Sequence, residues 1–258
     1  MTKVENFTTL SCAECAGGAG LGFEISMAYQ PIVDVQKKQM FAQEALVRGP
    51  QNQSAAHIFR QVNDGNRYRF DQSCRVTALK TAAQIGIEGF LSINFLPRAV
   101  YRPELCIRTT LAAAEEFGYP ISNIIFEINE VEKVDAPSHL SDIIADYKQR
   151  GFKTAIDDFG AGYSGLNLLA DIPVDFVKLD MILIRNVDSH PTRQHIVKRI
   201  LQLCADLGVQ VIAEGVETYE EMATLRDLGV ELLQGFYFAK PAFQAQAVVS
   251  EHVYSSPQ

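Results

Sequence analysis

Long hydrophobic runs are missing from this chain: no apolar stretch approaches the length of a bilayer span. The first residues also lack the basic-then-apolar pattern of a secretion signal, so a cytoplasmic protein without membrane insertion is expected. Cysteine is sparse. The five present are an odd number and are scattered, which excludes a disulfide framework. Only Cys12 and Cys15 lie close together. No second pair and no nearby histidine completes a zinc or redox motif, so they read as two ordinary cysteines. Positive charge is in deficit: 23 Lys and Arg face 31 Asp and Glu, a net of −8. That argues against binding a nucleic-acid polymer. A phosphorylated ligand stays admissible, because a metal or a few local cations reverse the field inside one site. Internal repeats, low-complexity tracts and a recognisable sensor domain are absent as well.

What the sequence does contain is a regular series of apolar runs: "SMAYQPIV", "MFAQEALVR", "FLSINFL", "NIIFEIN", "KTAIDDF", "DFVKLDM", "QVIAEGV" and "ELLQGFYF". Amphipathic segments separate most of them. In residues 191–207, Ile196, Val197, Ile200, Leu201, Cys204 and Leu207 form an apolar stripe, bounded by Pro191 and Gly208. Residues 218–228 carry a capping-box pair, Thr218 and Glu221, and end at Gly229. Eight strands alternating with helices predict an α/β fold, a modified TIM (β/α)8 barrel. Its first strand is expected to run antiparallel, since "DVQKKQ" is too short for a crossover helix. An open doubly wound sheet is the alternative. Residues 1–22 read as a flexible lead-in, residues 23–243 as the barrel and residues 244–258 as a tail.

In such a barrel, chemistry is built at the C-terminal ends of the strands. Glu44, Arg48, Asn94, Glu127, Asp157, Asp158, Lys178, Asp180, Glu214, Glu217 and Gln234 all stand in or just after an apolar run. Carboxylates gathered in one mouth repel one another unless a cation binds. The set has oxygen donors and neither Cys nor His, which favours Mg2+ or Mn2+. Adjacent Asp157 and Asp158 suit two ions, one bridging. His57, His139, His190 and His195, four of the five histidines, fall in loop or helical stretches and carry no catalytic expectation.

"AIDDFGAGYSG" also contains Gly160, Gly162 and Gly165 in the G-x-G-x-x-G spacing of a dinucleotide site. Such a site presents backbone N–H groups to a pyrophosphate, and two aspartates at its mouth would repel that anion. The run also follows the fifth strand, whereas the fingerprint opens the first unit of its fold. The glycines read better as a mobile loop beside a metal site.

Together these blocks resemble the EAL-domain cyclic-di-GMP phosphodiesterase family: "YQPIVD", "EALVR", "SINFLP", "FEINE", "IDDFGAGYSGL", "DFVKLD", "IAEGVE" and "QGFYFAKP", in family order across roughly residues 23–243. The resemblance implies hydrolysis of cyclic-di-GMP to linear pGpG with two metal ions per site. It implies that Glu44, Asn94, Glu127 and Asp157 hold the first ion, and that Asp157, Asp158 and Glu214 hold the second. Lys178 would contact the attacking water and Glu214 would be the general base, with Glu217 and Gln234 supporting water and substrate. Gln30, Leu46, Arg48 and Asp180 would contact the ligand, and Glu130 would pin the glycine-rich loop. A homodimer beside that loop is implied, and regulation through a separate sensor protein is compatible with it. The sequence departs from the family in "GPQNQSAAHIFRQVNDGNRYRFD" after the signature, and in "GAGYSG" where "GTGYSS" is usual; neither change removes a metal ligand. Some members of the family serve instead as cyclic-di-GMP receptors or interaction modules. An enolising barrel enzyme with Lys178 as base is the reading that remains if the resemblance is set aside.

Overall fold

The computed structural model describes residues 21–97, 100, 106–129, 137–162 and 165–254; Cys12, Cys15 and Glu130 lie outside these. Every apolar run becomes a strand: β1 (Ser26–Asp34), β2 (Gln39–Arg48), β3 (Phe90–Asn94), β4 (Ile124–Asn129), β5 (Lys153–Phe159), β6 (Phe176–Leu179), β7 (Gln210–Ala213) and β8 (Leu232–Gln234). Neighbours from β2 to β8 pair in parallel. β1 closes the ring by pairing antiparallel with both β2 and β8. An open sheet would leave both β2 and β8 with an unpaired edge, so closure excludes the doubly wound alternative. The β1–β2 hairpin turns where Asp34 Oδ1 accepts from the backbone N–H of Lys37 at 2.8 Å and of Gln36 at 3.1 Å.

Helices cover the wall: α1 (Ala55–Phe59), α2 (Arg67–Gln84), α3 (Arg108–Phe117), α4 (Pro137–Gln149), α5 (Gly165–Asp171), α6 (Met181–Ile184), α7 (Pro191–Leu207) and α8 (Tyr219–Leu228). The capping box at α8 is formed, with Thr218 and Glu221 each accepting from the other's backbone N–H. The stripe on α7 is narrower than the sequence pattern suggests. Val197 and Cys204 are buried, while Ile196 is 41% and Leu207 53% exposed. A helix lying on the convex outside of a barrel touches the wall along one line, so only positions seven apart bury fully.

The period-two alternation of the strands organises the barrel interior in two tiers. Ile32, Ala42, Ile125, Ala155, Phe176, Ile212 and Leu232 form a buried apolar floor, with Phe41 and Phe90 packed against it. Burial of each large side chain there stabilises the fold by about 1.5–3 kcal/mol. Two positions nearer the rim, the same inward faces carry Glu44, Ser92, Glu127, Asp157, Lys178 and Gln234, all buried. The floor closes the barrel beneath them and keeps water to one side.

A two-residue strand, β9 (Ala242–Phe243), pairs with β1. Beyond it, Ala247 is buried, Gln246 Nε2 donates to Gly86 O at 2.5 Å, and Tyr237 Oη donates to Val253 O at 2.9 Å. Residues 244–254 therefore lie against the barrel. Among the described residues, no helix is long and apolar enough to cross a membrane.

Candidate active site

Lys178 is the hub of the rim. Its Nζ lies 2.6 Å from Glu214 Oε1, 2.8 Å from Glu127 Oε1, 3.0 Å from Asp157 Oδ1 and 3.4 Å from Glu44 Oε2. Burial alone would push the ammonium pKa down, but Asp157, Glu127, Glu214 and Glu44 together hold it well above the ordinary lysine value. Four carboxyl groups around one ammonium favour its charged form.

Glu127, wholly buried, accepts from Ser92 Oγ at 2.5 Å through Oε1 and from Asn94 Nδ2 at 3.1 Å through Oε2. Burial, then the neighbouring Glu44 charge, pushes its carboxyl well up. Glu44 goes the other way. Burial raises it, yet Lys178, Gln234 and Asn94 outweigh that and bring it below the ordinary glutamate value. Its two oxygens accept from Asn94 Nδ2 at 3.0 Å and Gln234 Nε2 at 2.8 Å. Asn94 thereby spends its amide donor on β2 and β4 carboxylates, leaving Oδ1 as the atom free to face a cation.

Consecutive strand residues normally point to opposite faces, so Asp157 and Asp158 should not share one mouth. The β5–β6 register shifts between Ile156 and Phe159, and Asp158 takes a φ of 55°. This bulge re-aims Asp158 toward the rim. Asn129 Nδ2 donates to Asp158 Oδ2 and holds it there. Left-handed backbone at a non-glycine residue costs about 1–3 kcal/mol, and such strain concentrates at working sites. Gly160 follows with a φ of 96°, and a Cβ there would come within 2.6 Å of Leu183 Cδ1.

Oxygens of Asp157, Asp158 and Glu214 lie within 4.8 Å of one another. Asp157 Oδ1 is buried 3.0 Å from the Lys178 ammonium and accepts no other hydrogen bond among the described residues. Burial and the Asp157 charge push Asp158 up to about 6, and burial pushes Glu214 up too. A crowd of oxygen donors with more carboxyl groups than cations fits a hard divalent cation.

The remaining sequence candidates divide. Gln30 sits opposite Glu44 in the β1–β2 register and donates to Ala239 O at 3.3 Å. Arg48 donates to Val47 O at 2.8 Å, and partial burial lowers its guanidinium pKa. Asp180 caps α6, accepting from Ile182 N at 2.7 Å. Glu217 stands apart from the Lys178 cluster, in a bidentate pair with Arg185 at 2.6 and 2.7 Å. Ser92 and Asn129 were not singled out from the sequence. Counting by two from Asn94 and from Glu127 along their strands would have found them.

A cavity of about 490 Å³ opens beside this rim, with Glu44, Asn94, Asp157 and Asp158 on one side and Leu46 and Phe70 on another. The altered stretch after the signature supplies part of its wall through Phe59, Phe70 and Asp71. A larger hollow of about 650 Å³ lies at the opposite, N-terminal end of β7 and β8, where Glu231 is its one carboxylate. The acidic cluster lies beside the smaller cavity.

Comparison with known proteins agrees with this geometry. A family model described as the EAL domain matches residues 21–241. The chain is 33% identical over 214 residues to the blue light- and temperature-regulated antirepressor BluF of Escherichia coli K12, covering 83% of this chain and 53% of that protein. It is 30% identical over 227 residues to the probable cyclic di-GMP phosphodiesterase PdeG of the same organism, covering 84% of this chain and 45% of the relative. The chain thus spans about half the length, or less, of these curated relatives. The structure superposes with a TM-score of 0.88 on a standalone versatile EAL protein from Vibrio cholerae O395 in its c-di-GMP bound form, at 52% identity, covering 91% of this chain and 99% of that one. It also matches a manganese/cy-diGMP complex of Klebsiella pneumoniae BlrP1 with a TM-score of 0.81 and 35% identity, covering 85% of this chain and 56% of that one. With the barrel, its antiparallel first strand and the acidic rim in hand, this protein belongs to the EAL-domain family.

Proposed function

We propose that the chain hydrolyses cyclic-di-GMP to linear pGpG, using a water activated by two divalent cations, Mg2+ or Mn2+. One observation carries the reading: Asp157, Asp158 and Glu214 bring oxygens within 4.8 Å of one another beside a buried lysine and an open cavity. Relatives named as cyclic di-GMP phosphodiesterases and the ligand and manganese in the BlrP1 complex support the substrate and the metal class.

Glu44, Asn94, Glu127 and Asp157 would hold the first ion, and Asp157, Asp158 and Glu214 the second. When bound, the pair supplies an acidified water and neutralises charge at the scissile phosphate. The protein's own groups do the rest. Lys178 would donate a hydrogen bond to the water, Glu214 would accept the water's proton and Gln234 would support water and substrate, with Glu217 joining them on leaving its pair with Arg185. Arg48 pairs with a phosphate, and Gln30, Leu46 and Asp180 orient the nucleotide. Glu130, in the loop-pinning role, lies outside the described residues.

The test is a metal-dependent hydrolysis assay on cyclic-di-GMP with the product identified. Appearance of pGpG with Mg2+ or Mn2+, lost on chelation, is the expected result. Binding of cyclic-di-GMP without linearisation would make the protein a receptor and overturn the reading. A homodimer belongs to the same reading: Leu166, Met181 and Ile182, beside the glycine-rich loop, are 63%, 45% and 58% exposed. Light scattering should report a dimer, and Ile182→Lys a monomer.

A further inference from the structure

A second buried charge lies on the outside of the barrel wall, unused by the chemistry above. Arg75, on α2, is wholly buried. Its guanidinium pairs with Asp71 Oδ2 at 2.5 Å and donates to Tyr147 Oη at 3.0 Å. Its Cζ lies 5.1 Å from the ring centroid of Phe126, 5.5 Å from that of Phe95 and 5.9 Å from that of Tyr147. Asp71 uses its other oxygen to accept from Leu96 N at 2.9 Å.

Phe95 follows Asn94 and Phe126 precedes Glu127. Alternation places the two rings outside the wall where the two ligand candidates are inside. Phe95 and Leu96 directly follow β3 and Phe126 lies on β4, so these contacts of the Arg75–Asp71 pair fall one or two residues from a group at the rim. Inside the wall, Asn94 Nδ2 ties β3 to both Glu44 and Glu127. A shift of β3 against β4 would therefore break the rim's own network.

We propose that Arg75 and Asp71 are positioning residues for the metal centre, which they fix from behind by setting the β3–β4 offset. The inference rests on the function proposed above. Replacing a buried ion pair by apolar side chains of similar volume is often neutral or stabilising, so the role assigned to this pair is direction rather than bulk. A planar guanidinium holds two rings, a phenol and a carboxylate at fixed angles, which a lysine ammonium cannot reproduce. Metal sites need their ligands held to within roughly 0.5 Å, and supporting groups behind them typically matter about 10–100-fold in affinity or activity.

Mn2+ titration by calorimetry on nucleotide-free wild type, Arg75→Lys and Asp71→Asn tests this, with thermal unfolding and cyclic-di-GMP binding in EDTA alongside. Arg75→Lys should weaken Mn2+ by about tenfold or more while unfolding cooperatively. Its kcat should fall with KM and metal-free nucleotide binding within about twofold of wild type. Asp71→Asn, which keeps an acceptor for Leu96 N, should show a smaller loss in the same direction, and it carries the test if Arg75→Lys does not fold. Mn2+ affinity of the variants within about twofold of wild type overturns the inference. So does a parallel loss of Mn2+ and nucleotide binding with broadened unfolding, the mark of general loosening. Wild type that binds no Mn2+ at all would instead overturn the functional reading, and this inference with it.

Discussion

Lys178 and Arg75 are both wholly buried, one inside the barrel and one outside it, and their surroundings differ in a way that separates function from support. Arg75 meets one carboxylate, the Tyr147 phenol and the rings of Phe95 and Phe126. Its charge is matched by Asp71 and its Nη1 donates to Tyr147, while Nε has no hydrogen-bond partner among the described residues. Lys178 meets four carboxylates within 3.4 Å. One ammonium against four carboxyl groups is unbalanced, and the upward push on the Glu127 and Glu214 carboxyls is the mark of that crowding, which a structural ion pair would not carry. The imbalance, rather than the burial, marks a place where further cations belong. A balanced cluster stiffens the wall, and an unbalanced one waits for a ligand.

That contrast can be broken at the rim. Asp157→Asn removes a charge shared by both proposed ion sites; at several kcal/mol of lost transition-state stabilisation, hydrolysis should fall roughly 10³-fold. An assay with saturating Mn2+ measures it, and a loss under about tenfold would assign the imbalance to structure alone. It can be sharpened by exchanging the cations for methionine. Lys178→Met and Arg75→Met should each destabilise the metal-free protein by about 3–5 kcal/mol, because each leaves carboxylate unpaired. Mn2+ should raise the melting temperature of Lys178→Met by more than that of wild type and leave Arg75→Met without such rescue. Equal rescue of both would erase the distinction. The smallest effect belongs to Ser92→Ala, which removes the short bond to Glu127 Oε1. It should cost about 1 kcal/mol in chemical denaturation and leave the fold intact.

Most of the architecture was legible in residue order. Eight apolar runs gave eight strands because a barrel strand is buried on both faces and reads as a continuous hydrophobic stretch. The hairpin followed from a connection too short for a helix, and α8 from its capping box. α2 was less legible. Its buried positions include Asp71, Gln72, Ser73, Arg75 and Thr77, so no apolar stripe marks it. Arg75 and Asp71 find partners in Tyr147 and Leu96 N, which are distant along the chain.

The candidate site divides along the same line. That Glu44, Asn94, Glu127, Asp157, Lys178 and Gln234 share one mouth was readable, since strand-end polar residues converge once the barrel closes. The pairing of Glu217 with Arg185 was not, because it depends on where the loops after β6 and β7 cross.

By itself, then, the sequence determined the repeat of strands, the hydrogen-bonded helix ends and the supply of oxygen donors, because periodicity, capping and residue chemistry are local. Only the tertiary structure decided that Asp158 turns inward beside Asp157, through a bulge on one strand held by Asn129 of its neighbour. It alone also set Arg75 behind Asn94 and Glu127. Both depend on the offset between adjacent strands, which residue order does not express and which closure of the ring imposes.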